Sequence, residues 1–145
     1  METVTIPSSI VNYSNISDLN YNNQYGNLHG AYINATCAFM NCKNLKHVVL
    51  PNNMTTLPYG IFANCTRLSD INLDNICILQ PDSLYNTAVN IDLEHTQITT
   101  IDTSALYNAV NTFRSVLKLS DTITEIGDNA LSCQNNYTIN EIVLP

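Results

Sequence analysis

Charge is scarce in this chain, and basic charge is scarcest. Only 12% of its 145 residues are Asp, Glu, Lys or Arg, with five basic against twelve acidic. The formal charge of -7 and a pI near 4.5 repel phosphate backbones, which draw affinity mainly from Lys and Arg. Nucleic acid is therefore excluded as a partner, and bare anionic membrane is a poor one. Four scattered glycines leave no material for a glycine-rich phosphate loop. No window approaches the roughly 18 apolar residues of a membrane span, so membrane insertion is not expected. Residues 1–10 lack the basic segment and apolar run of a secretory signal. Cysteine is present without a framework: Cys37, Cys42, Cys65, Cys77 and Cys133 are an odd set. A secreted disulfide scaffold shows an even set in a shorter chain, and without a Cys-x2-Cys pair or a close His partner a zinc site is not expected either.

What the chain does hold is apolar residues, at 45%, and 22 asparagines. That is enough to bury a continuous core in a single domain, with uncharged polar side chains doing most of the solubilising. An Asn-, Ile- and Tyr-rich composition also fits an AT-rich coding sequence. Internal periodicity is the dominant signal. The pattern apolar-x-Leu recurs at Val48-Val49-Leu50, Ile71-Asn72-Leu73, Ile91-Asp92-Leu93, Leu117-Lys118-Leu119 and Ile142-Val143-Leu144. The leucines are 23, 20, 26 and 25 residues apart (73−50, 93−73, 119−93, 144−119), inside the roughly 20–29 residue range of leucine-rich repeats. An earlier copy, Val4-Thr5-Ile6-Pro7, lies about two repeats before Leu50.

After each leucine comes a second aliphatic (Leu57, Leu79, Ile101, Ile126), then a segment with a bulky apolar residue (Phe62, Leu84, Leu106, Leu131, with Phe39 in the preceding copy). Pro58 and Pro81 open this segment in two copies, as a first helical turn tolerates. Each repeat reads as a short strand, a turn, a second extended piece and a helical or 3-10 turn. One such unit cannot bury its apolar side chains alone, and stacking units does so. The fold class expected is an α/β-type repeat solenoid, a right-handed leucine-rich-repeat superhelix with a parallel β-sheet. Strands at 48–50, 71–73, 91–93 and 117–119 are expected in one sheet. Cys42 and Cys65, each three residues after a Phe, are expected as buried packing residues on neighbouring rungs.

The stretch Phe39-Met40-Asn41-Cys42-Lys43-Asn44-Leu45 followed by Val48–Pro51 resembles the BspA-like, or treponemal-type, leucine-rich repeat. So do Ile61–Leu68 followed by Ile71–Leu73, and Ile123–Leu131 with Cys133. The middle repeats are degenerate, with Thr87 and Ala109 where that pattern has Cys. Members of the family are mostly surface proteins of host-associated bacteria and protists, several of them adhesive. The resemblance implies a non-catalytic adhesion or interaction role and a cell-surface or extracellular location. The missing signal sequence points instead to a virion or cytoplasmic one. Residues 1–31 read as a degenerate first repeat or an N-terminal cap, with 32–145 as repeats. Residues 10–31 depart from the pattern, and Tyr13, Tyr21, Tyr25 and Tyr32 suit either a capping loop or an adaptable recognition loop.

Strand alternation turns every second side chain outward onto a shared face. On it stand Asp70, Asn72 and Asp74, then Asn90, Asp92 and Glu94, then Lys118. This is the expected partner-binding face. Its carboxylates suit a calcium ion, a basic partner or plain solvation, and solvation is the most ordinary reading. His29, His47 and His95 carry no Ser, Cys or carboxylate in a catalytic spacing, and alternation sets His95 and Glu94 on opposite faces. No catalytic, cofactor or metal residues are assigned. Of six Asn-x-Ser/Thr sequons, chance gives nearly four, and Asn64 reads as structurally committed beside Cys65. The leading functional expectation is an interaction module holding a protein or glycan. The alternative is a structural subunit of a larger assembly, such as a phage or virion appendage or a filament. There Ile142-Val143-Leu144-Pro145, the opening strand of a further repeat, would continue into more chain or self-associate.

Overall fold

A computed structural model describes residues 1–8, 37–109, 116–133 and 141–144. The strands are short: β1 (Thr3–Thr5), β2 (His47–Val49), β3 (Thr56–Leu57), β4 (Asp70–Ile71), β5 (Ile78–Leu79), β6 (Thr100–Ile101), β7 (Val116–Lys118), β8 (Glu125–Ile126) and β9 (Glu141–Val143). Every pairing among them is parallel. The chain is a β-solenoid of the leucine-rich-repeat kind, with three sides to each turn of the coil. One side carries β1-β2-β4 and β7-β9, and a second carries β3-β5-β6-β8. On the second side, Leu57 stands beside Leu79, Leu79 beside Ile101 and Ile101 beside Ile126. Leu57, Leu79 and Ile101 are fully buried and form a core column, while Ile126 at its end is exposed.

The third side was expected to be helical or 3-10, and it is neither. No α-helix occurs among the described residues. Successive β-turns alternate their N–H groups between two destinations. Cys65, Tyr85 and Ala105 donate within their own turns, to Phe62, Asp82 and Asp102, while Phe62, Leu84 and Leu106 donate to carbonyls of the next rung, Ser83, Ala105 and Ala130. Every buried main-chain group must find a partner, and a helix would turn them all inward and leave the rungs unstitched. The alternation requires left-handed residues, and Asn41, Asn64, Asn86 and Asn108 occupy that conformation in register at φ of 53–64°. Asn is among the few residues that tolerate it. Part of the asparagine abundance is therefore structural.

Inside, Phe39 and Phe62 stack with centroids 5.6 Å apart. Cys65 is buried and Cys42 half-buried against the same core, and all five cysteines are free thiols. Burying each large side chain contributes roughly 1.5–3 kcal/mol, spread along the coil.

Two sheet expectations need correction. Val4 lies directly beside Val48, since β1 pairs with β2 from Thr3↔His47 to Thr5↔Val49. No rung intervenes, although 44 residues separate the two leading positions. The calls on residues 10–31 fall outside the described residues. Secondly, the first side is not one sheet. Residues 91–93 form no strand, and the sheet divides into β1-β2-β4 and β7-β9. Chain length explains the break. Six residues lead from Cys42 to Val48 and from Cys65 to Ile71, but only four from Thr87 to Ile91 (91−87). The Ala88 N–H donates to the Leu68 carbonyl at 2.9 Å, which sets Ala88 opposite Ser69 on the register of β4. Continuing that register would place Ile91 opposite Asn72, yet Ile91 is buried. A one-residue slip reverses every side chain, so hydrophobic burial and ladder pairing conflict here. Burial prevails.

Candidate partner-binding face

The first side presents exposed polar side chains on strands too short to twist far out of plane. Asp70, Asp74, Asn90, Asp92, Glu94 and Lys118 are all exposed. Polar pairs cross from rung to rung: the ion pairs Lys46 Nζ to Glu2 Oε1 at 3.2 Å and Lys118 Nζ to Glu94 Oε1 at 3.3 Å, and the hydrogen bond between His47 Nδ1 and Asp70 Oδ2 at 3.1 Å. Such exposed pairs stabilise little, but they hold the side chains in a defined array. The Lys46 ammonium hydrogen-bonds the Glu2 carboxyl and holds it below its ordinary range.

Asn72 does not belong to the free surface. Its Oδ1 accepts the Leu50 N–H at 2.6 Å, and its Nδ2 donates to the Leu50 carbonyl at 3.0 Å. The side-chain amide replaces the main-chain ladder at this point, which is why β4 stops at Ile71. His95 and Glu94 also depart from expectation. Residues 93–95 form a bend, not a strand, so alternation does not part their side chains. Asp92 Oδ1 accepts the N–H groups of Glu94 (2.9 Å) and His95 (3.3 Å), and its Oδ2 meets His95 Nδ1 at 2.8 Å. That hydrogen bond lowers the Asp92 pKa and raises that of His95, with the Glu94 charge adding to the latter.

Asp92, Glu94 and His95 bring one ligand atom each to within 4.8 Å of one another. Asp70 and Asp74, which the sequence placed with them, are not in that group. The Asp92 carboxylate is already occupied by two amides and an imidazole, leaving little of it for a cation that wants several oxygens. Two grooves flank the unpaired stretch. One lies between 90–94 and β7, and the other between 90–92 and Ile71–Asp74.

A scan against protein families matches residues 4–138 to the BspA type leucine-rich repeat region, in six copies. The chain belongs to that family. Neither the search of curated proteins nor that of solved structures returned a match. Leucine-rich-repeat chains are in general non-catalytic, and membership suggests a protein-interaction repeat module. In this BspA-type chain the one tight cluster of histidine and carboxylates among the described residues is Asp92, Glu94 and His95, all exposed. The repeats also hold a feature that sequence reasoning overlooked, the asparagine column. The signal was available, because Asn41, Asn64, Asn86 and Asn108 recur at steps of 23, 22 and 22 (64−41, 86−64, 108−86).

Proposed function

We infer that this chain is a non-catalytic interaction module that holds a protein or glycan partner on its first-side face, with Asp70, Asp74, Asn90, Asp92, Glu94 and Lys118 as contact residues. The carrying observation is that these side chains stand exposed in one array beside two grooves. An adhesive role at a cell surface accords with the family, and no small-molecule cofactor is called for. The test is paired surface variants in a binding screen on protein and glycan arrays. Asp70→Lys with Glu94→Lys changes the face, and Thr56→Lys with Thr100→Lys changes the second side. Partners lost in the first variant and kept in the second support the reading; partners lost equally in both, or in neither, refute it.

A second reading, a subunit of a larger assembly, is favoured by one observation. Ile126, Ile142 and Leu144 are exposed at 45%, 54% and 70%, and Leu131 is half-buried. Apolar patches of this kind mark contact sites, and the β9 edge adds unpaired main chain. Light scattering across a concentration series distinguishes this: growth in mass that Ile142→Lys abolishes supports the assembly.

A further inference from the structure

The two grooves differ in one respect. The groove on the β7 side, about 360 Å3, is lined by Glu94 and Lys118, and the chain fills its charge need internally through their 3.3 Å pair. The groove on the β4 side, about 350 Å3, has Ile71, Leu73 and Ile91 as apolar lining and Asp74, Asp92 and His95 as polar lining. Its described lining contains no Lys or Arg. Asp92 is engaged by His95, whereas Asp74 makes no hydrogen bond or ion pair among the described residues.

Resting on the reading of this face as the partner side, we propose that the β4-side groove receives an arginine side chain of a protein partner. The occupant follows from complementarity. The groove combines an apolar wall and a free carboxylate, in a chain of charge -7. A guanidinium has five donors in a planar fork that meets a carboxylate bidentately, and it is weakly hydrated, so it leaves water for an apolar groove more readily than an ammonium does. Its methylene stem covers apolar surface, here Ile71, Leu73 and Ile91. A lysine ammonium is a compact point charge, and the neighbouring groove shows the chain meeting that need itself.

The test is a titration of the 15N-labelled 145-residue chain with N-acetyl-arginine methylamide, followed by amide shifts, against the citrulline counterpart as an uncharged isostere. Saturable shifts confined to 71–74 and 90–97 are expected with arginine and not with citrulline. Asp74→Asn, an exposed change whose spectrum itself reports folding, should weaken the affinity about five- to tenfold, as the loss of a charge-assisted bond does. Absence of saturable shifts, equal shifts with citrulline, or unchanged affinity in Asp74→Asn overturns the proposal. The two readings fail separately: if face variants abolish partner binding while arginine leaves these amides unmoved, the groove proposal falls and the wider reading stands.

Discussion

The side-chain amide of Asn86 donates to the side-chain oxygen of Asn64 at 2.9 Å, and both residues hold the left-handed conformation, at φ of 54° and 60°. The bond joins equivalent positions of adjacent rungs, so one residue type meets a backbone requirement and ties the stack together.

Asn64→Ala is accordingly expected to destabilise the chain by about 2 kcal/mol. Ala tolerates the left-handed conformation less well than Asn, by roughly 1 kcal/mol, and the lost hydrogen bond adds about 1 kcal/mol. Asn64→Gly keeps the conformation and loses only the bond, so it should cost less. Urea denaturation of the three proteins gives the order; equal midpoints for the Ala and Gly variants would remove the backbone from the explanation.

Ser83 has the opposite character. Its hydroxyl is fully buried without a hydrogen-bond partner, while the equivalent positions hold Ile61, Ala105 and Ala130. An unpaired buried polar group costs about 1–3 kcal/mol. Ser83→Ala should therefore raise stability by about 1 kcal/mol, read as a higher thermal midpoint. A lower midpoint would mean that the hydroxyl has a partner in solution.

At Gly127 the constraint is steric. A Cβ there would lie 2.5 Å from the Thr103 nitrogen and 2.8 Å from the Asp102 carbonyl carbon, both main chain of the previous rung. Main chain cannot swing aside as a flexible side chain would, so Gly127→Ala must push two rungs apart. A loss of about 1–3 kcal/mol is expected, in the range of overpacked cores. Native-state hydrogen exchange should show it first at Thr124, Glu125 and Gly127, whose N–H groups cross that junction; unchanged protection there would count against the steric account.

The Asp92–His95 pair sets a pH dependence whose sign is fixed by its shifts. The raised His95 pKa contributes stability that is present at low pH and lost as pH rises through the folded value. The lowered Asp92 pKa contributes stability present above its unfolded value and lost as pH falls through the folded one. Their joint contribution is confined to the window between the two folded pKa values. NMR titration should place His95 above ordinary histidine, and Asp92→Asn should bring it back down. A His95 value that ignores the substitution would show that Asp92 is not its partner.

Buried cysteine follows the same reasoning in the core. Burial pushes the Cys65 thiol up to about 11, so in the folded chain it should react far more slowly with a disulfide reagent than the half-buried Cys42, Cys77 and Cys133. Comparable rates for Cys65 and Cys42 at pH 8 would argue that the rungs open readily.

Spacing alone determined the solenoid. Leucines 20 to 26 residues apart, a second aliphatic after each, and Cys42 and Cys65 behind two phenylalanines are covalent facts, and stacking is the one arrangement that buries them all. The parallel strands at β2, β4 and β7 and the buried column at Leu57, Leu79 and Ile101 follow from that. Tertiary structure decided whatever depended on competition between rungs. Ile91 carries the same motif as Ile71, yet two missing residues before it force a choice between pairing and burial, and the sheet breaks. Asn72 has the outward place of a surface residue, but the Leu50 main chain was within reach and took it. Asp92 bent its own chain and brought Glu94 and His95 together, which no alternation rule anticipates. Val4 looked two rungs away in sequence and is one rung away in space, because a solenoid counts contacts and not residues. Periodicity is a property of each repeat, but the pairing of a polar group depends on which neighbour reaches it first, and only the folded stack fixes that.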